Sequence, residues 1–241
     1  MAERLFDRQA RLLEYLTSGA AIFGEENNAP LDPALHGINP DLLHLEASLS
    51  HEKRVSKISA VFPRTFELMA EYRAVILHEF AIVCRPEHIG VIENARQFHG
   101  FLCSRQDREP TQAPYLHEVA ACELALAEVR VTGQNRQQVM DETRSVAPGS
   151  IRRRPGIVLL RCAYDIQPIF ASTAAGGCPS ERDTPLAIMM MPGTPHARVF
   201  EVAPAVFDLL LAIRNWSACD AADLKGVIGE LVACGLVEVR R

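Results

Sequence analysis

The sequence predicts an α+β protein in which an all-helical N-terminal domain, residues 1–135, is followed by a small C-terminal α+β domain, residues 136–241. Three observations predict it. Up to about residue 130 the apolar residues recur at helical spacing, with Pro only between the periodic segments or at their starts. Beyond residue 144 come short apolar runs bounded by Pro or Gly, the signature of strands. From Pro204 the helical period returns, and a short apolar run closes the chain.

Residues 3–18 place Phe6, Leu12, Leu13 and Leu16 among charges, an amphipathic helix with Gly19 in position to cap its C-terminus. The stretch 24–36 has turn chemistry and no periodicity. Asn39 before Pro40 starts a helix that runs towards Val61, since Asn accepts from the free N–H groups and Pro fits the first helical position. After Pro63 one helical segment is expected through Phe66, Met69, Ile76 and Phe80 to about Val83, with Pro86 as the next boundary. Further helices fit Ile89 to Cys103 and Pro114 to Val129, the latter with Val119, Cys122, Leu126 and Val129 on one face.

In the second half strands are expected at Ile157 to Ala163, Ile166 to Ala171, Leu186 to Met191 and Ala197 to Val202. Thr173 to Pro185 reads as a long connection. Helices are expected from Pro204 to Ile213 and from Ala221 to Cys234, the second ended by Gly235, with a closing strand from Leu236 to Val239.

Composition narrows the function classes. In 241 residues, 48% hydrophobic and 23% charged is ordinary globular usage, and the formal net charge of −5 offers no general field for nucleic acid. The seven cysteines stand singly with no CxxC pair, as expected of reduced thiols in the cytoplasm. Charges fill the first eleven residues, so no signal-peptide core begins there, and no apolar run approaches a membrane span.

No chemical motif is completed. The pairs His51-Glu52, His78-Glu79 and His117-Glu118 would each open an HExxH zinc site, but Val55, Ile82 and Ala121 stand where the second histidine belongs. His99 and Cys103 share a helix face but make only two ligands, so no metal site and no catalytic residue is assigned to this chain. GxxxxGK, GxGxxG and GxSxG are absent. Cys122 and Cys234, on apolar faces, read as packed thiols, and Met189 to Met191 as core. Arg152, Arg153 and Arg154 read as a solvated linker, with phosphate or an acidic peptide as the alternative.

Strands followed by helices and a final strand resemble a winged helix, a common DNA reader. Charge opposes that role: from Ala197 to Arg241 there are five cations and six acids, and Lys225 is the sole cation of the helix expected from Ala221. Such a unit instead suits an extended peptide, which adds to an exposed strand edge and packs in a neighbouring groove. Arg198, Val199 and Phe200 on the strand and Leu224, Lys225 and Ile228 on the helix are the expected peptide-binding residues.

Several segments resemble a family of two-domain bacterial proteins encoded beside DUF692-type TIM-barrel enzymes. They are Arg54 with Val61-Phe62-Pro63 and Phe66-Glu67-Leu68-Met69, Arg85-Pro86, Phe98 with Phe101-Leu102, Pro114-Tyr115-Leu116 with Val119-Ala120 and Glu123, and Val158-Leu159-Leu160-Arg161 through Tyr164-Asp165-Ile166. Within that family the chain is most similar to the branch serving methanobactin biosynthesis, which makes a copper chelator from a ribosomal peptide. The resemblance implies a non-catalytic partner subunit in a cytoplasmic heterodimer, with a C-terminal domain like the peptide-recognition elements of ribosomal-peptide pathways. The DUF692-type partner would carry the iron and, with dioxygen, convert precursor-peptide cysteines to oxazolone and thioamide. This chain would hold the precursor leader, with no cofactor of its own, no nucleic acid and no membrane.

Overall fold

The computed structural model describes residues 2–23, 31–87, 89–108, 113–134, 149–171, 178–191, 196–219 and 225–240. Two compact units divide the chain, Met1–Ala120 and Ala121–Arg241. The fold is α+β, with helices in the first part and small antiparallel sheets in the second.

The described residues of the first unit form helices α1 (Ala2–Leu16), α2 (Gly19–Phe23), α3 (Pro40–Val61), α4 (Pro63–Met69), α5 (Arg73–Val83) and α6 (Val91–Arg108), and α7 (Leu116–Gln134) begins in it. The start of α3 follows the sequence reading: Asn39 Oδ1 accepts from the Asp41 N–H at 2.8 Å and Pro40 takes the first turn. Asn39→Ala is expected to cost about 1 kcal/mol, read as a lower thermal midpoint. Gly19 does not cap α1. It opens α2, where its backbone lies so close to α5 that a Cβ would come within 2.7 Å of the Ile82 Cα. The single helix expected from Phe66 to Val83 is broken into α4, a 3-10 turn at Ala70–Tyr72 and α5, with Ala70 at φ 44°. Periodicity continues across such a break because both pieces bury their apolar residues in the same core.

That core is aromatic. Phe98, fully buried, lies with ring centroids 5.0 Å from Phe80, 5.6 Å from Phe62 and 5.8 Å from Phe66. The rings hold α3, α4, α5 and α6 together, the offset and edge-on geometries adding to the area they bury.

In the second unit the strands are β1 (Ser150–Arg153), β2 (Val158–Tyr164), β3 (Glu181–Met190), β4 (Ala197–Glu201), β5 (Ser217–Ala218) and β6 (Val237–Val239), with helices α8 (Gln167–Ala171), α9 (Pro204–Ala212) and α10 (Lys225–Ala233) between them. They make two antiparallel sheets, ordered β5-β1-β6 and β2-β3-β4. A shared core of Ile151, Ile157, Ala187, Met189, Leu210, Ile213, Leu231 and Val237 joins both sheets to α9 and α10. On the other face of the second sheet Leu186 and Ile188 are fully buried.

Several expectations for this unit need correction. Ile166 to Ala171 is not a strand but includes the helical turn α8, because Pro168 lacks the N–H a ladder requires yet fits a first helical turn. Arg152, Arg153 and Arg154 are not a solvated linker: the first two lie in β1, paired with Glu238 and Val237 of β6. The connection expected through Pro185 is shorter, since β3 begins at Glu181. The C-terminus of α10 is as expected: Gly235, at φ 74°, donates to the Val232 carbonyl at 2.9 Å, and Leu236 donates to the Leu231 carbonyl at 2.8 Å, a Schellman cap. Residues 220–224, including Leu224, lie outside the described residues.

Candidate functional site

β4 is the outer strand of its sheet among the described residues. Its register on β3 pairs Ala197 with Met190, Arg198 with Met189, Val199 with Ile188, Phe200 with Ala187 and Glu201 with Leu186. The Val202 N–H donates inward to the Pro185 carbonyl at 3.0 Å, and the His196 carbonyl accepts inward from Met191 at 3.0 Å. In an antiparallel ladder the inward residues alternate. The backbone groups of Ala197, Val199 and Glu201 therefore point away from β3, a row that an added strand can pair with.

The side chains divide by the same alternation. Phe200 and Val202 pack on the core that also receives Ile228 from α10, so two of the expected residues meet on one apolar cluster. Arg198 is exposed and Val199 half-buried. Lys225 opens α10, but its side chain lies outside the described residues, as does the whole of Leu224. Strand and helix are thus tied through the core.

Charge guards one end of the edge. Arg182 on β3 donates to both carboxylate oxygens of Glu201 and, through Nη2, to Asp165 Oδ2 at 2.8 Å. These hydrogen bonds hold the Glu201 carboxyl below its usual range and raise the guanidinium. Arg161 forks onto Asp183 at 2.9 and 2.7 Å. Arg161, Asp183, Arg182 and Glu201 are solvated, so their weight is in placement rather than stability.

In the helical unit two features were not read from the sequence. Arg54 on α3, only 7% exposed, donates from Nε to Asn94 Oδ1 at 3.0 Å, from Nη1 to the Cys84 carbonyl at 2.8 Å and from Nη2 to Gln97 Oε1 at 2.5 Å, and lies 4.3 Å from the Phe80 ring centroid. Its position beside Ala47 and Ile58 on the buried face of α3 was the available signal. The second feature is uncovered apolar surface: Leu5, Phe6 and Leu13 on α1, and Leu42, Leu45 and Leu49 on α3, with Phe6 at 72% and Leu42 at 61% exposure.

Burial pushes the thiols of Cys84, Cys103 and Cys122 upward, the direction of packed thiols rather than activated nucleophiles. Cys103 Sγ lies 3.5 Å from His99 Nε2. No group of three or more His, Cys, Asp or Glu side chains placed to hold a metal occurs among the described residues. No helix among the described residues is long and apolar enough to cross a membrane.

No protein-family model matches the chain, and no curated protein matches it.

Proposed function

We propose that this chain is the non-catalytic partner subunit of a heterodimeric, iron-dependent peptide-modifying oxidase, and that it holds the leader of the precursor peptide. The observation that carries this reading is the outer edge of β4, whose Ala197, Val199 and Glu201 backbone groups face away from the sheet beside a core shared with α10. Backbone pairing supplies affinity, and Arg198 with the Phe200 and Ile228 cluster supplies selection. The partner, a DUF692-type TIM-barrel enzyme, carries the iron and forms oxazolone and thioamide from peptide cysteines on the route to methanobactin. The apolar residues uncovered on α1 and α3 suit docking on that enzyme.

Co-expression with a DUF692-type TIM-barrel protein tests the assignment. An iron-containing complex that modifies a cysteine-containing precursor only when both chains are present supports it; a lone chain that ignores that protein removes it. Val199→Pro is the sharper variant, because it deletes an outward N–H while leaving the inward ladder. Peptide affinity is expected to fall roughly tenfold, by about the 1.5 kcal/mol of a lost edge hydrogen bond, with the heterodimer intact. Unchanged affinity would remove β4 as the site. Arg198→Pro, which deletes an inward N–H, serves as the folding control.

The second reading is a winged-helix-like DNA regulator, favoured by the arginines of β1. Salt separates the two: duplex binding would weaken by about 0.9 log units per log unit of salt for every phosphate neutralised, whereas strand addition responds weakly.

A further inference from the structure

The arginines expected in a linker belong instead to a strongly basic sheet. The sheet β5-β1-β6 and its flanks, residues 149–154, 213–219 and 236–240, contain five arginines and one acid, Glu238, in a chain whose formal net charge is −5. Strand parity sorts them. Ile151 and Val237 point into the core, so Arg152 and Glu238, paired across β1 and β6, point outward.

On that outer face Arg152 donates from Nε to Glu238 at 2.9 Å while its guanidinium lies 4.5 Å from the Trp216 ring centroid. Arg154 reaches the other Glu238 oxygen at 4.0 Å. Arg240 continues β6 with the parity of Glu238, its N–H donating to the Ser150 carbonyl at 2.9 Å. Two donors are left over: Trp216 Nε1 and Arg240 Nη1 are buried and find no acceptor among the described residues. Behind the strand, Arg153 is lowered by burial and by Arg214, like charges placed near one another.

We propose that this face binds an acidic polypeptide segment, its carboxylates pairing with Arg152, Arg154 and Arg240 and its chain lying against Trp216. Glu238 shows the geometry offered to a carboxylate: Nε and Nη2 of Arg152 both on its Oε2, at 2.9 and 2.8 Å, with the guanidinium steadied by an aromatic plane. One glutamate cannot neutralise the cluster, and the orphaned donors call for further acceptor oxygens. A polypeptide fits better than nucleic acid. The face is about 10 Å across, three strands at roughly 4.8 Å spacing, and meets few phosphates, while the acidic remainder of the chain repels a long polyanion. This surface lies on a different sheet from β4 and holds whether or not the iron-oxidase assignment does.

Trp216 is the only tryptophan in the chain, so its fluorescence reports on this face alone. Titrating the full chain with a glutamate-rich peptide should give a saturable change that its all-glutamine counterpart does not. Arg154→Gln and Arg240→Gln should each weaken binding roughly threefold to tenfold, the range of a partly exposed ion pair. Glu238→Gln, which removes the resident competitor, should tighten it. An equal response to the glutamine peptide, or no saturable response with the fold intact by circular dichroism, overturns the proposal. Tighter binding of a short DNA duplex, with a steep salt dependence lost in the arginine variants, overturns it in favour of nucleic acid.

Discussion

Arg54→Ala is expected to destabilise the helical unit by roughly 3 kcal/mol, lowering its midpoint by about 10 °C. The truncation strands three acceptors at once, Asn94 Oδ1, Gln97 Oε1 and the Cys84 carbonyl, and opens a void against Phe80. Arg54→Met separates the two contributions, since it keeps the packing and loses only the donors. It also removes a charge that burial holds at a pKa of about 10. The sign follows from linkage: with the folded pKa below the unfolded one, the cation costs stability at neutral pH, and that cost is relieved as pH rises through 10. Wild type should therefore gain on Arg54→Met in alkaline titration. Denaturant melts at neutral pH and at pH 10.5 measure this, and a constant gap between the two proteins would contradict it.

Phe98→Ala is expected to cost about 4 kcal/mol, the upper part of the range for buried aromatics. Phe98 has no exposed surface and touches the rings of Phe62, Phe66, Phe80 and Phe101, so no single neighbour can collapse into the space. Phe98→Leu should lose about half as much. Unfolding curves followed by far-ultraviolet circular dichroism read both, and a loss below about 1.5 kcal/mol for Phe98→Ala would mean that the aromatic cluster repacks.

Much of the fold was legible because its signals are local. Asn39-Pro40 names a helix start, Gly235 a stop, and Pro204 the beginning of α9, each within a few residues. The misreadings lie where tertiary pairing decides. Ser150–Arg153 is a strand because β6, more than eighty residues later, supplies Glu238 and Val237 as partners, and nothing within a run of arginines announces that. Ile166 to Ala171 has the apolar density of a strand, but Pro168 made a ladder untenable and should have decided it. Gly19 resembled a cap, whereas its lack of a side chain serves the contact with Ile82.

The candidate site was legible in part. The short apolar run from Ala197 to Val202 marked a strand, and the structure places it at the edge with Phe200 and Ile228 on one core. Which backbone groups face outward follows only from the register. Arg54 was hidden because a charged residue at a helical core position reads as an exposed one until its three acceptors, which come from other segments, are brought to it.

Amide hydrogen exchange on the full chain, alone and with a cysteine-containing peptide of the kind proposed as precursor, tests the peptide-edge claim most directly. The account predicts that the outward amides of Ala197, Val199 and Glu201 exchange quickly in the free chain and slow sharply when peptide binds, while the inward amides of Arg198 and Phe200 are protected throughout. Bound peptide that leaves the three outward amides unprotected would contradict it.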